Sequence, residues 1–515
     1  MKRPDPLHEL IQTLSMSEKR YFKIFAQRHT MGEENKYALL FDAICEMEVY
    51  DQEVLKEKLQ EEGLSIGFLS ADKNYLYQLL LKSLSGFHAS KTNSLKVKET
   101  LHQIEILYEK GLYPQCLVLI QKGQKIADQY DLYPVYLELS NWERKVLIQQ
   151  SRTDEVKTAL SSAADRLALL DNVNAFMQLY YRMHALRQEI PKARNPEDRE
   201  QFDDLIAHPF LEDERIALSF QAKLHFWRIH ALYHLATDHP EKELQAYRQL
   251  LDLMDSSKDY AQEFPYDYVS IYGRILTLKQ NASDEEFLQT LDFLQRFPER
   301  IKKSRRNVNF RAQSDAMRIS LQRLIYLGRF QEAVTSHGQR EGFIKKNRSM
   351  YTSEEYVQIQ YLMAYTWIGA GEYRKALPII NSLINETNDK VAPDYQAFAR
   401  VLNMVIHYEL QNYTLMKYAG DMAIRLLQRR KRLSPSLKAI FRMFKKLARF
   451  EGHSAGEIIG TLKETKQKLI LLYEDPYEGQ FLQIFDILSW IDSKVKNISL
   501  QSARQQHIQS SVSLS

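Results

Sequence analysis

Apolar residues in this chain recur at helical spacing along most of its length and alternate almost nowhere. Leu437, Ile440, Phe441, Phe444 and Leu447, for example, fall on one face of a helix, with Lys438, Arg442, Lys445 and Arg449 on an adjacent stripe. Helix starts are marked by capping chemistry. Asn195-Pro196, Ser434-Pro435 and Asp475-Pro476 pair a capping side chain with proline at the first helical position. Ser283 with Glu286, Thr352 with Glu355, and Ser454 with Glu457 have the spacing of a capping box. From residue 113 onward, every second start falls near Tyr113, Asp154, Pro196, Pro240, Asp284, Arg329, Glu372 and Asn412, at intervals averaging about 43 residues. Two helices of about 16 to 20 residues and two short turns fill such an interval, so the unit is a helix hairpin. A single hairpin buries its apolar face only against its neighbours, which is the logic of a solenoid.

The first 95 residues do not share this period. Helical stretches near 5 to 14, 17 to 29, 36 to 49, 51 to 62 and 70 to 85 predict a small N-terminal helical domain over 1–95, followed by the repeat array over 96–500. The last two stretches, joined across Gly63, also allow a helix-turn-helix that reads DNA, although the second is mostly apolar and suits a core helix better. Residues 501–515 are rich in serine and glutamine and predict a flexible tail.

Composition narrows the classes. Of 515 residues only 17 are glycine and 14 proline, too few for many-stranded sandwiches or for nucleotide enzymes built on glycine-rich loops. Cys45 and Cys116 stand far apart without a metal-binding neighbour, so neither a disulfide framework nor a cysteine zinc site is expected. No apolar run reaches the length of a membrane span, and the N-terminus lacks the pattern of a signal peptide; a cytoplasmic protein is expected.

The hairpin joints carry a recognisable motif. Trp367, Gly371, Tyr373 and Ala376 place an aromatic residue two positions after a turn glycine and a small residue three further on. Gly328, Phe330 and Ala333 repeat it; Gly111, Tyr113 and Cys116 are a weaker copy, and Tyr413 with Met416 weaker still. These joints resemble the tetratricopeptide repeat, over roughly residues 97 to 495. The resemblance implies an all-α fold, a right-handed α-solenoid of tetratricopeptide-like hairpins, longer in period than the usual 34. It also implies protein or peptide binding in a groove lined by first helices.

Strings that suggest chemistry are outweighed by their context. Gly452-His453-Ser454-Ala455-Gly456 matches a hydrolase nucleophile elbow, but a basic amphipathic helix precedes it where a buried strand is needed. His230 and His234 share a helical face near His225 and His239, without the glutamate of a zinc-protease motif. We therefore expect no enzyme, metal or cofactor.

Charge is the more informative signal. Residues 424–453 carry a net +9 and residues 296–318 a net +6, while the whole chain is only +4. Arg305, Arg306, Arg311 and Arg318 from one block, with Lys438, Arg442, Lys445 and Arg449 from the other, are the candidate partner-binding residues, expected to line one groove. An acidic or polar protein segment is the expected partner, pairing carboxylates with these cations. The alternative is a nucleic-acid-associated regulator, with the helix-turn-helix as reader and the repeats as sensor.

Overall fold

The computed structural model describes residues 5–28, 36–64, 66–89, 92–193, 195–257, 259–301, 306–386, 391–430, 432–449, 455–475, 478–479 and 482–512. Among them all regular structure is helical. The chain divides into two compact units, residues 1–171 and 172–515, and the division falls inside one long helix.

The first unit holds α1 (Pro6–Thr13), α2 (Met16–Arg28), α3 (Lys36–Cys45), α4 (Gln52–Glu61), α5 (Leu69–His88), α6 (Asn93–Glu109), α7 (Tyr113–Gln129) and α8 (Tyr133–Gln149), and it contains the start of α9 (Thr153–Glu189). It has two separate cores. Leu7, Phe22, Phe41, Leu55 and Leu76 belong to one, and Val97, Ile104, Ile120 and Leu139 to the other. α4 packs on α3 and α5 on α2. Lys73, on the would-be reading helix α5, is half-buried and bound to Asp5 and Tyr50 (2.6 Å to the phenol).

In the second unit, consecutive helices pack against one another: α10 (Pro196–Ile206), α11 (Phe220–Ala236), α12 (Pro240–Ser256), α13 (Tyr260–Glu263), α14 (Pro265–Leu278), α15 (Asp284–Arg296), α16 (Arg306–Tyr326), α17 (Phe330–Thr335), α18 (His337–Lys346), α19 (Ser353–Gly369), α20 (Tyr373–Glu386), α21 (Pro393–Glu409), α22 (Tyr413–Arg429), α23 (Pro435–Leu447) and α24 (Ala455–Tyr473). α25 (Ile487–Lys496) and α26 (Leu500–Val512) follow. The expected starts at Tyr113, Pro196, Pro240 and Asp284 are found, and the other four lie within one residue of expectation. The caps act as their chemistry requires. Asn195 accepts from the Asp198 amide (2.6 Å), Ser434 from Leu437 (3.3 Å), and Thr352 with Glu355 forms a reciprocal capping box.

One joint geometry recurs. The residue two positions before the next helix is left-handed, and the following amide donates to the carbonyl five residues back, closing a Schellman turn. This bond runs from Leu112 to Leu107, Arg329 to Leu324 and Glu372 to Trp367 behind Gly111, Gly328 and Gly371, at 2.8–3.0 Å. It recurs from Leu132 to Ala127, Arg152 to Leu147, His239 to His234 and Asn412 to His407, where the left-handed residue is Asp131, Ser151, Asp238 or Gln411. The glycine shortage is thus met by placing polar residues in strained positions.

Two expectations are corrected. The interval from 153 to 196 holds the single helix α9 instead of a hairpin, because its 37 residues contain neither glycine nor proline to turn the chain. The expected tail at 501–515 is instead helical through Val512, with residues 513–515 outside the described set. α26 is anchored by polar contacts that its serine- and glutamine-rich composition conceals. Arg504 donates to Asp486 (2.5 Å) and to the Tyr326 carbonyl (3.1 Å), His507 bonds Asp492 (2.5 Å), and Ala503 is fully buried.

Candidate functional site

Most of the α16 arginines are consumed by packing. Asp315, 4% exposed, receives Arg311 (2.8 Å) and Arg318 (3.3 Å); Arg311 also pairs with Glu355, and Arg318 bonds Gln322 (3.1 Å). Arg306 is exposed at the helix start, and Arg305 lies outside the described residues. α16 packs on α14, α15 and α19, whereas α23 packs on α21, α22 and α24, so the two cationic helices rest on different neighbours.

The first-helix face of α19, α21 and α23 is covered by the chain itself. Tyr361 Oη donates to the Ile484 carbonyl (3.2 Å), and the Asp486 amide donates to Tyr365 Oη (3.1 Å). Trp490, 1% exposed, donates from Nε1 to Glu409 (2.9 Å) and packs on Tyr408 and Phe444. Leu482, Phe485, Ile487 and Trp490 belong to the same core as α19–α23, so this covering is integral to the fold. The expected open channel is therefore closed by apolar burial.

The α23 cations have a different outlet. Lys438 and Arg442 are exposed, have no ion pair among the described residues, and line a groove between α23 and α24 of about 570 Å³. Lys446 (3.1 Å) and Lys468 (2.8 Å) join them there and share one acid, Glu464, whose carboxyl they hold below its usual range. Leu471, on the same wall, is 69% exposed. Lys445 turns away to Asp421 (2.6 Å), and Arg449 is exposed past the end of α23. Of the eight predicted residues, the structure thus gathers Lys438 and Arg442 in a groove.

A second depression is not anticipated from the sequence. It lies between α20, α21 and α22, measures about 660 Å³, and is walled by Leu415, Tyr418 and Met422, with Asn403 and His407 also among its lining residues. Its sequence signal is that α22 is apolar on two faces: Met416, Gly420, Ala423 and Leu427 are buried, while Leu415, Tyr418 and Met422 remain exposed.

The histidine cluster is a packing feature. His230 Nε2 bonds the Leu211 carbonyl (3.2 Å), and burial, followed by the charges of His230, His239 and neighbouring cations, holds His234 down to about 4. No group of three His, Cys, Asp or Glu among the described residues is placed to hold a metal. Ser454 lies outside the described residues, and the segment before it is the helix α23. No helix of the described residues is long and apolar enough to cross a membrane. Comparison with family models, with curated proteins and with solved structures finds no match to this chain.

Proposed function

We propose that this chain is a non-enzymatic cytoplasmic adaptor, a solenoid of tetratricopeptide-like hairpins that grips an acidic segment of a protein partner. The observation that carries this reading is the α23–α24 groove, where, among the described residues, Lys438 and Arg442 stand unpaired beside Lys446, Lys468 and exposed Leu471, and Glu464 is the one acid in the lining. Four exposed cations set against one acid create a positive potential that draws carboxylates and orients them, while an exposed leucine rewards an apolar neighbour in the same segment. The helical joints and the recurring 43-residue interval support the repeat reading, and two free cysteines suit a reducing compartment.

The test is photo-crosslinking from a probe placed at position 468 or 471 of the full chain in its native cell. A reproducible partner, crosslinked through an acidic segment and lost in the Lys438→Glu/Arg442→Glu variant, is the expected result. Crosslinks to chaperones alone, or a partner indifferent to that variant, would overturn it. Capture of DNA or RNA by the same positions, with affinity falling steeply with salt, would move the reading to nucleic acid.

A further inference from the structure

The depression between α20, α21 and α22 has the size of a small-molecule site, for which about 300–1,000 Å³ is ordinary. Its lining is polarised. α21 and α22 leave the joint at Gln411 in opposite directions, so His407 and Leu415 sit at the joint end, and Arg425 and Arg429 sit at the far end. Leu415 to Arg429 spans roughly 21 Å at about 1.5 Å per helical residue. The stretch between is apolar and open: Leu415 is 54%, Tyr418 67% and Met422 48% exposed.

Among the described residues charge is one-sided: Arg400, Arg425 and Arg429 line the trough and no Asp or Glu does. Arg425 and Arg429 are exposed and make no ion pair among the described residues; Asp421, one turn before Arg425 and attracted to it, pairs directly with Lys445 (2.6 Å). Two deeply buried polar side chains complete the lining. Asn403, 6% exposed, donates to Asn381 (3.2 Å), and His407, 9% exposed, has an Nδ1 with no hydrogen-bond partner among the described residues.

We propose that this trough binds an elongated amphiphile with an apolar chain and one terminal carboxylate, the chain lying along Leu415, Tyr418 and Met422 and the carboxylate held by Arg425 and Arg429. Guanidinium groups take carboxylates through paired hydrogen bonds, and an uncharged or cationic head group leaves these arginines unserved or repelled. The site is distinct from the α23–α24 groove and stands or falls separately from it.

The experiment is calorimetric titration of the full chain with octanoate, decanoate and dodecanoate, each below its self-association concentration, with dodecanol and dodecylamine as comparators. One equivalent should bind. Each added methylene should tighten binding by up to about fourfold, and dodecanoate should exceed dodecanol by about tenfold. Arg425→Gln/Arg429→Gln should erase the preference for the carboxylate, Met422→Glu should weaken both probes, and Lys438→Glu/Arg442→Glu should change neither; circular dichroism checks that each variant is folded. Absence of carboxylate binding, equal affinity for dodecanoate and dodecanol, or persistence of the preference in the arginine variant would overturn the proposal. So would an acidic hexapeptide that displaces dodecanoate and binds more tightly, since the trough would then be a peptide seat.

Discussion

At the scale of single residues, the joints show how a glycine-poor chain turns. Ser151 (φ 56°) and Gln411 (φ 59°) occupy the left-handed position that Gly111 and Gly371 hold elsewhere. A side chain there costs about 1 kcal/mol or more, partly offset by the ~0.5 kcal/mol of chain entropy that glycine loses. Ser151→Gly and Gln411→Gly should therefore each stabilise the protein by about 0.5 kcal/mol, read as a higher urea midpoint. Asp131→Gly should gain less, because Asp131 accepts a hydrogen bond from Tyr133 Oη (2.8 Å). His337 gives a pH-dependent counterpart. Thr366 donates its hydroxyl to the Met363 carbonyl (2.8 Å), so it accepts from His337 Nε2–H (2.8 Å), and Nδ1 is left buried without a partner among the described residues. Burial, then the charge of Arg340, holds this imidazole down to about 4. The unfolded chain takes up its proton first, so this stability is complete above about pH 6.5 and is lost as pH falls toward 4, up to about 3 kcal/mol. Urea titrations at pH 7.5 and 4.5 should show the drop, reduced in His337→Gln.

At the scale of elements, α16 is held by charges that its sequence advertises as a binding surface. Asp315 sits between Arg311 and Arg318 with almost no solvent access. Asp315→Asn leaves two cations without their carboxylate and should cost about 3 kcal/mol, measured by chemical denaturation. Glu464→Gln, at a fully exposed carboxylate, should cost much less than Asp315→Asn. The contrast shows why charge counting along a sequence misleads: the +6 block and the +9 block look alike, yet Arg311 and Arg318 are taken up by Asp315 of their own helix, with Glu355 brought to Arg311 by packing, while Lys438 and Arg442 face a groove. Helix starts were legible because caps act within three or four residues. The single helix α9 was not, because its missing turn leaves only an absence in the sequence.

At the scale of the second unit, the chain end is part of the architecture. α26 reaches back about 175 residues in sequence to the joint at Gly328, where Gln505 bonds its carbonyl (3.4 Å) and Arg504 bonds that of Tyr326. Truncation after Ser499 removes these bonds and takes the guanidinium from Asp486 and the imidazole from Asp492. It should cost about 3 kcal/mol or more, with faster amide exchange at 326–331 and 485–492 as the readout. A truncated chain as stable as the whole, with unchanged exchange there, would show that α26 is merely apposed.

What the sequence determined by itself is whatever depends on neighbours along the chain: that the protein is helical, where most helices begin, and the interval at which they recur. These follow from side chains capping amides three residues away and from apolar residues returning to one face every turn. What only the tertiary structure decided is which of those faces remain open. Trp490 and Phe485 close the first-helix face, Glu355 of α19 is brought to Arg311, and the separation of α20 from α22 leaves Tyr418 and Arg429 beside a trough. Each outcome depends on residues tens to more than a hundred positions apart. The physical reason is that burial and ion pairing are settled by proximity in space, which a linear pattern of apolar and charged residues does not encode.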